Sequence, residues 1–237
     1  MLTSAEKRRY HRHVMLENVG EEGQEKIKSA RVLVVGAGGL GAPVLQYLTA
    51  AGVGTMAIMD DDLVSEDNLQ RQILYGGEDL GKLKTIIAKQ KLSLLNPLVK
   101  QELFNIRLKP ENAKGFIANY DFVIDASDNF ETRYLINDTC NTLGKPWIYG
   151  SVNKFEGQVS VFNYKGSRNL RSLFPDVIDK KNIPDPKNSG LFGVIPGIIG
   201  SWQANEAIKI ITGIGDVLAN KLLIFDMLKN EVEVIGY

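Results

Sequence analysis

Four glycines within six residues, Gly36-Ala-Gly38-Gly39-Leu-Gly41, directly follow the short apolar run Val32-Leu-Val-Val35. Such a run bounded by glycine reads as a strand buried on both faces, and the apolar spacing of residues 40–51 predicts a helix immediately after it. A strand, a glycine turn and a helix in that order leave few folds open. The helix has to cross back over a parallel sheet, in the right-handed sense. The turn also places backbone N–H groups at the positive end of the helix, where a phosphate is favoured.

The rest of the chain continues the alternation. Helices are expected over residues 4–13 and 21–29, before the glycine motif, and a strand over 56–59 follows it. A helix over 82–95 is stopped by Asn96-Pro97; then come a strand over 99–104, a helix over 111–119, a strand over 122–125 and a helix over 130–143 closed by Gly144. After Pro146 the pattern changes. Residues 147–151 read as a buried strand, 158–164 as an antiparallel one, and 222–226 with 231–235 as a hairpin around Lys229-Asn230, with a helix over 200–212 between. These elements predict an α/β fold: a doubly wound, Rossmann-like mixed sheet, parallel in its first half and antiparallel at the far end, in one domain spanning residues 1–237. Residues 165–190, with Pro175, Pro184 and Pro186, read as a crossing loop.

Asp60 ends the second strand, nineteen residues after Gly41, the spacing at which a carboxylate accepts hydrogen bonds from a ribose. At this point an adenine nucleotide is indicated, and a NAD-dependent oxidoreductase explains it as well as any other enzyme. The next stretch separates the alternatives. Asn68, Gln70 and Arg71 supply amides and a cation that a dehydrogenase does not need beyond its ribose carboxylate, whereas an enzyme that splits a triphosphate does. Lys84 adds a second cation at a helix start. Asp125-Ala-Ser-Asp128-Asn129 closes another strand, so Asp128 lies at the carboxyl edge of the sheet, where a carboxylate facing phosphates suits magnesium. Taken singly, Arg71 and Lys84 read as solvated charges, and Asp128-Asn129 as the cap of the helix that follows.

Composition narrows the partners. With 28 basic and 28 acidic residues, no global field recruits nucleic acid or an anionic membrane. Residues 1–25 are charged and lack the apolar core of a signal peptide, and no apolar run reaches the roughly 18 residues of a span, so a cytoplasmic location is expected. The single cysteine, Cys140, excludes an internal disulfide and any Cys-rich zinc cluster. Its place inside the helix over 130–143 reads as a buried, unreactive thiol.

Taken as an ordered set, the motifs closely resemble the ThiF/MoeB/HesA adenylyltransferases of the ubiquitin-activating-enzyme superfamily. The set comprises Arg9-Tyr-His-Arg12-His13, the glycine loop, Asn68-Leu-Gln-Arg-Gln72, Asp125-Ala-Ser-Asp-Asn129, Glu156-Gly-Gln158 and Gly200-Ser-Trp-Gln-Ala-Asn-Glu-Ala-Ile-Lys209. The resemblance implies ATP- and magnesium-dependent activation of the C-terminal glycine carboxylate of a ubiquitin-like sulfur carrier, such as ThiS or MoaD, as an acyl-adenylate. By matching positions, Gly36, Gly38, Gly39 and Gly41 meet the phosphates, Asp60 the ribose, Asn68, Gln70, Arg71 and Lys84 the triphosphate, and Asp128, beside Asn129, the magnesium. It also implies a homodimer in which Arg12 reaches the partner's site.

Departures from the family pattern sharpen the reading. Many relatives hold a structural zinc with two Cys-x-x-Cys pairs; the first aligns with Asn169-Leu-Arg-Ser172 here, so no zinc is expected. Residues 183–190 lack the cysteine that some relatives carry before the late helix, so no enzyme thioester or persulfide is expected. A separate sulfurtransferase or persulfide donor must then take the adenylate. Trp147 and Trp202 read as core, with a carrier-docking role as the alternative. Adenylation of a peptide or a tRNA base stays open as another acceptor choice.

Overall fold

The computed structural model describes residues 1–175 and 190–237; Pro184, Pro186 and most of the expected crossing loop lie outside them. Five parallel strands carry the first half of the sheet: β1 (Arg31–Val35), β2 (Thr55–Met59), β3 (Lys100–Phe104), β4 (Phe122–Asp125) and β5 (Trp147–Asn153). Three antiparallel strands complete it: β6 (Glu156–Phe162), β7 (Lys221–Asp226) and β8 (Glu231–Gly236). The spatial order is β3-β2-β1-β4-β5-β6-β7-β8. Successive strands spread one way from β1 through β3 and the other way from β4, so the direction reverses between β1 and β4. In open sheets of this kind the crevice for ligands lies at that reversal, beyond the carboxyl ends of the strands.

Helices cover both faces, as the continuous apolar strands require. One core joins the sheet to α3 (Gly20–Ser29), α4 (Gly41–Ala51), α5 (Lys84–Leu95) and α8 (Val194–Thr212), through side chains such as Val34, Leu45, Ile87 and Ile199. The other joins it to α6 (Pro110–Ile117) and α7 (Phe130–Leu143), through Leu33, Val123 and Ile136. Trp147 is fully buried in this second core, its ring 4.9 Å from that of Phe162. Trp202 sits edge-on against Phe225.

Two expected elements come out differently. The helix expected over 4–13 is two, α1 (Ser4–Arg9) and α2 (His11–Val14), broken at Tyr10. Tyr10 is buried, its hydroxyl accepting from Asn96 Nδ2 at 2.9 Å, and that distant anchor overrides local helical continuity. Helix α8 starts six residues before the expected 200, at Val194. Pro196 falls in its first turn, where a missing N–H costs no hydrogen bond.

Candidate active site

Between the end of β1 at Val35 and the start of α4 at Gly41 runs the glycine turn. Gly36 has φ +101°, and a Cβ on it would stand 2.5 Å from the Ala126 carbonyl oxygen; one on Gly41 would stand 2.2 Å from the carbonyl oxygen of Gly36. Only glycine closes such a turn, and the result is backbone left bare at a helix N-terminus, open to an anion. Two side chains fix it. Tyr75 donates its O–H to the Ala37 carbonyl at 2.7 Å, and Asp60 accepts the Ala37 N–H at 2.7 Å and the Asp62 N–H at 2.8 Å. A carboxylate offers about four acceptor positions, so Asp60 keeps capacity for a sugar hydroxyl. Its burial raises its pKa above the usual carboxylate value, chiefly against the nearby Lys84.

Residues 68–72 fold over this loop after a single 3₁₀ turn, Glu66–Asn68. Asn68 is buried there. Arg71 Cγ lies 3.6 Å, and Pro196 of α8 3.1 Å, from the point a Cβ on Gly39 would occupy; Gln72 Nε2 lies 3.4 Å from the corresponding point on Gly38. Gln70 is exposed, and its carbonyl packs on Gly193 just before α8. Lys84, the first residue of α5, is buried and pairs with Asp62 at 2.9 Å.

Strand β4 delivers the other wall. Ala126 N–H donates to the Val35 carbonyl at 2.8 Å, setting the end of β4 directly beside the glycine turn. Asn129, not Asp128, caps α7: its side-chain oxygen accepts the Thr132 N–H at 2.9 Å. Asp128 is left exposed, and among the described residues its carboxylate accepts from Asn129 Nδ2 at 3.4 Å. An exposed carboxylate beside an anion-accepting turn fits magnesium, which takes few protein ligands and shares the phosphates of a bound nucleotide. Asp60, Asp61 and Asp62 also bring carboxylate oxygens within 4.8 Å of one another, but Lys84 already offsets that cluster.

The structure therefore brings together Gly36, Gly38, Gly39, Gly41, Asp60, Asn68, Gln70, Arg71, Lys84, Asp128 and Asn129. Arg12 it does not: that side chain is exposed on α2, whose preceding residue Tyr10 packs on Gly52 at the end of α4 opposite the turn.

Several contributors had gone unassigned. Tyr75 and Gln72 support the loop; Tyr75 carries no local sequence signal, and Gln72 shows only as the last residue of the Asn68-Leu-Gln-Arg-Gln72 motif. Asp125 is fully buried with Arg133 Nε 3.4 Å from its carboxylate; burial pushes its pKa up while the guanidinium opposes. Arg133 also donates to the Ser127 and Gly150 carbonyls, and Gln203 Nε2 donates to the Asp125 carbonyl at 2.6 Å. Their signal was present: Arg133 lies on the face of α7 that holds Ile136, Asn137 and Cys140, and Gln203 sits within an apolar helix.

Cys140 is fully buried in the second core, which pushes its thiol pKa up to about 12. At 169–172 the chain makes a 3₁₀ turn opened by Asn169. Leu170 is buried and its N–H donates to Asn137 Oδ1, while Arg171 makes two hydrogen bonds to Asp138 of α7.

A model of the ThiF family matches residues 10–236. A sulfur carrier protein adenylyltransferase of Thermus thermophilus is 48% identical over 232 residues, 96% of this chain and 86% of that protein. A probable adenylyltransferase/sulfurtransferase MoeZ of Mycobacterium tuberculosis is 44% identical over 238 residues, 99% of this chain and 61% of its own length. The chain thus spans less than two thirds of that second relative. Among solved structures, E. coli MccB with MccA-N7isoASN superposes with a TM-score of 0.85 at 18% identity, over 99% of this chain and 72% of that one, a likeness of fold.

Proposed function

The chain belongs to the ThiF family and is an adenylyltransferase; we propose that it uses ATP to adenylate the C-terminal glycine carboxylate of a ubiquitin-like sulfur carrier, releasing pyrophosphate. The observation that carries this reading is the set of charged residues around the turn made by Gly36 to Gly41: Arg71, whose stem packs by Gly39 while its guanidinium bonds the Asp67 carbonyl, Lys84 beside Asp60, and Asp128 two residues beyond Ala126, a set suited to a triphosphate rather than to a dinucleotide.

The chemistry is dominated by charge. A carboxylate ionised at neutral pH needs no general base, but it has to approach an anionic α-phosphate while negative charge grows on the departing pyrophosphate. The loop N–H groups and the Arg71 and Lys84 cations offset both. Asp60 orients the ribose, and Asn68 and Gln70 hold the phosphate chain in line. Asp128 would hold magnesium, which, when bound, neutralises phosphate charge. Arg12 lies by the end of α4 opposite this loop, and the family resemblance assigns it to the site of a second copy in a homodimer.

The reaction ends at the acyl-adenylate. The only thiol, Cys140, is enclosed in the core with a raised pKa, so this chain forms no thioester, and the sulfur of a sulfurtransferase or persulfide donor attacks the acyl carbon of the mixed anhydride and displaces AMP. No zinc is assigned. The test is intact-mass analysis of a thiamine- or molybdopterin-type carrier incubated with enzyme and ATP: a carrier–AMP adduct supports the reading, and a carrier left unmodified with every ubiquitin-like carrier of the source organism contradicts it.

A further inference from the structure

Two residues flanking Arg12 tie α2 to the end of α4 opposite the glycine turn. The Tyr10 ring packs against Gly52, the left-handed residue that caps α4, so closely that a Cβ there would stand 2.3 Å from the hydroxyl. The same hydroxyl accepts from Asn96 Nδ2, which also donates to the Thr49 carbonyl of α4 at 2.8 Å. On the other side of Arg12, His13 Nδ1 lies 2.9 Å from Gln24 Oε1. Gln24 is fully buried and its nitrogen is committed to the Ala51 carbonyl at 2.8 Å. Its oxygen must therefore face His13, which fixes His13 as the Nδ1–H donor.

Both ties end within the last turn of α4 or its cap. The helix has eleven residues, about 16 Å at 1.5 Å each, so the segment carrying Arg12 is locked a helix length away from the phosphate loop of its own chain. The guanidinium itself is exposed.

We propose that Tyr10 and His13 are positioning residues which hold α2 rigid so that Arg12 is presented to the phosphate site of a second copy. The proposal rests on the assignment of Arg12 as acting in trans. A four-residue helix has too little intrinsic stability to aim a side chain by itself; the Tyr10–Asn96 and His13–Gln24–Ala51 bridges supply the rigidity.

The test uses mixed dimers from two differently tagged chains, one carrying Arg12→Ala and the other Asp128→Asn. Their only complete site combines the loop of the first with Arg12 of the second, and pyrophosphate exchange reads it. His13→Leu placed on the Asp128→Asn chain should lower exchange at least tenfold; on the Arg12→Ala chain it should change exchange less than twofold. His13→Gln, which keeps an N–H donor, should restore activity to within threefold. Tyr10→Phe, which keeps the ring and removes only the acceptor, should show the same chain asymmetry and serves if His13→Leu does not fold. Equal loss on either chain, or no loss on the Arg12-donating chain, overturns the proposal. An inactive parent mixture overturns the trans assignment itself, and the proposal with it, while leaving the adenylation reading to be judged from the unmixed enzyme.

Discussion

Lys84 Nζ lies 2.9 Å from Asp62 Oδ2, yet Lys84 is 4% exposed and Asp62 is 62% exposed. The ammonium is held at the edge of the proposed nucleotide site by a partner that water can replace. Water and the neighbouring Asp60, which also faces Lys84, can stand in for the exposed Asp62 carboxylate, whereas a buried cation facing developing phosphate charge is worth about 10²–10³ in rate. Lys84→Met should therefore lower pyrophosphate exchange about 10²–10³-fold, and Asp62→Asn should change it only a few-fold. Steady-state exchange of the two variants checks this, and comparable losses would show that the pair, not the cation, matters.

The Asp125–Arg133 pair beneath the β4 wall carries a different expectation. Neither group reaches water, so Arg133→Met leaves a buried carboxylate without its counter-charge and should cost about 3–5 kcal/mol. Urea unfolding at neutral pH measures it. Because Asp125-Ala-Ser leads straight to Asp128, the variant should also bind nucleotide more weakly.

How much of this was readable beforehand follows from the range of each interaction. The glycine turn, Asp60 at the next strand end and the cap of α7 are local, set by residues within a few positions of one another, and the sequence shows them. The sequence offers Asp128 and Asn129 alike as the cap; the structure gives it to Asn129, which leaves Asp128 outside the cap. The break at Tyr10 was not readable, because its cause is Asn96, 86 residues away. Tyr75 under the loop is likewise a contact across 38 residues. Arg133 was visible as a charge on an apolar helix face, but its partner emerges only when β4 and α7 are packed together.

At the N-terminus, Lys28 bonds Glu6 and the Thr3 backbone N–H donates to it, holding its pKa near 2 instead of 4.5. A depressed carboxylate pKa means that the unfolded state binds more protons, so this stabilisation is whole above about pH 4.5 and disappears as pH falls towards 2. Glu6→Gln should be less stable than the parent at pH 7, and the gap should close across that window. Denaturant melts at a series of pH values follow it; a gap constant with pH would place the effect elsewhere.

Cys140 should be inert. With its pKa near 12 and no access to solvent, the native thiol should resist iodoacetamide at pH 8, and Cys140→Ala should keep pyrophosphate exchange within about twofold, because no covalent step passes through it. Rapid alkylation of the folded protein, or loss of exchange in the variant, would reopen a thioester route.

Carboxylate activation itself is tested most directly by ATP–pyrophosphate exchange with a sulfur carrier whose C-terminus is either free or amidated. Exchange should require the free carboxylate, vanish with the amide, and vanish again in Arg71→Ala despite a free carboxylate. Exchange that proceeds without carrier, or equally with the amidated one, would contradict adenylation of the carrier's terminal glycine.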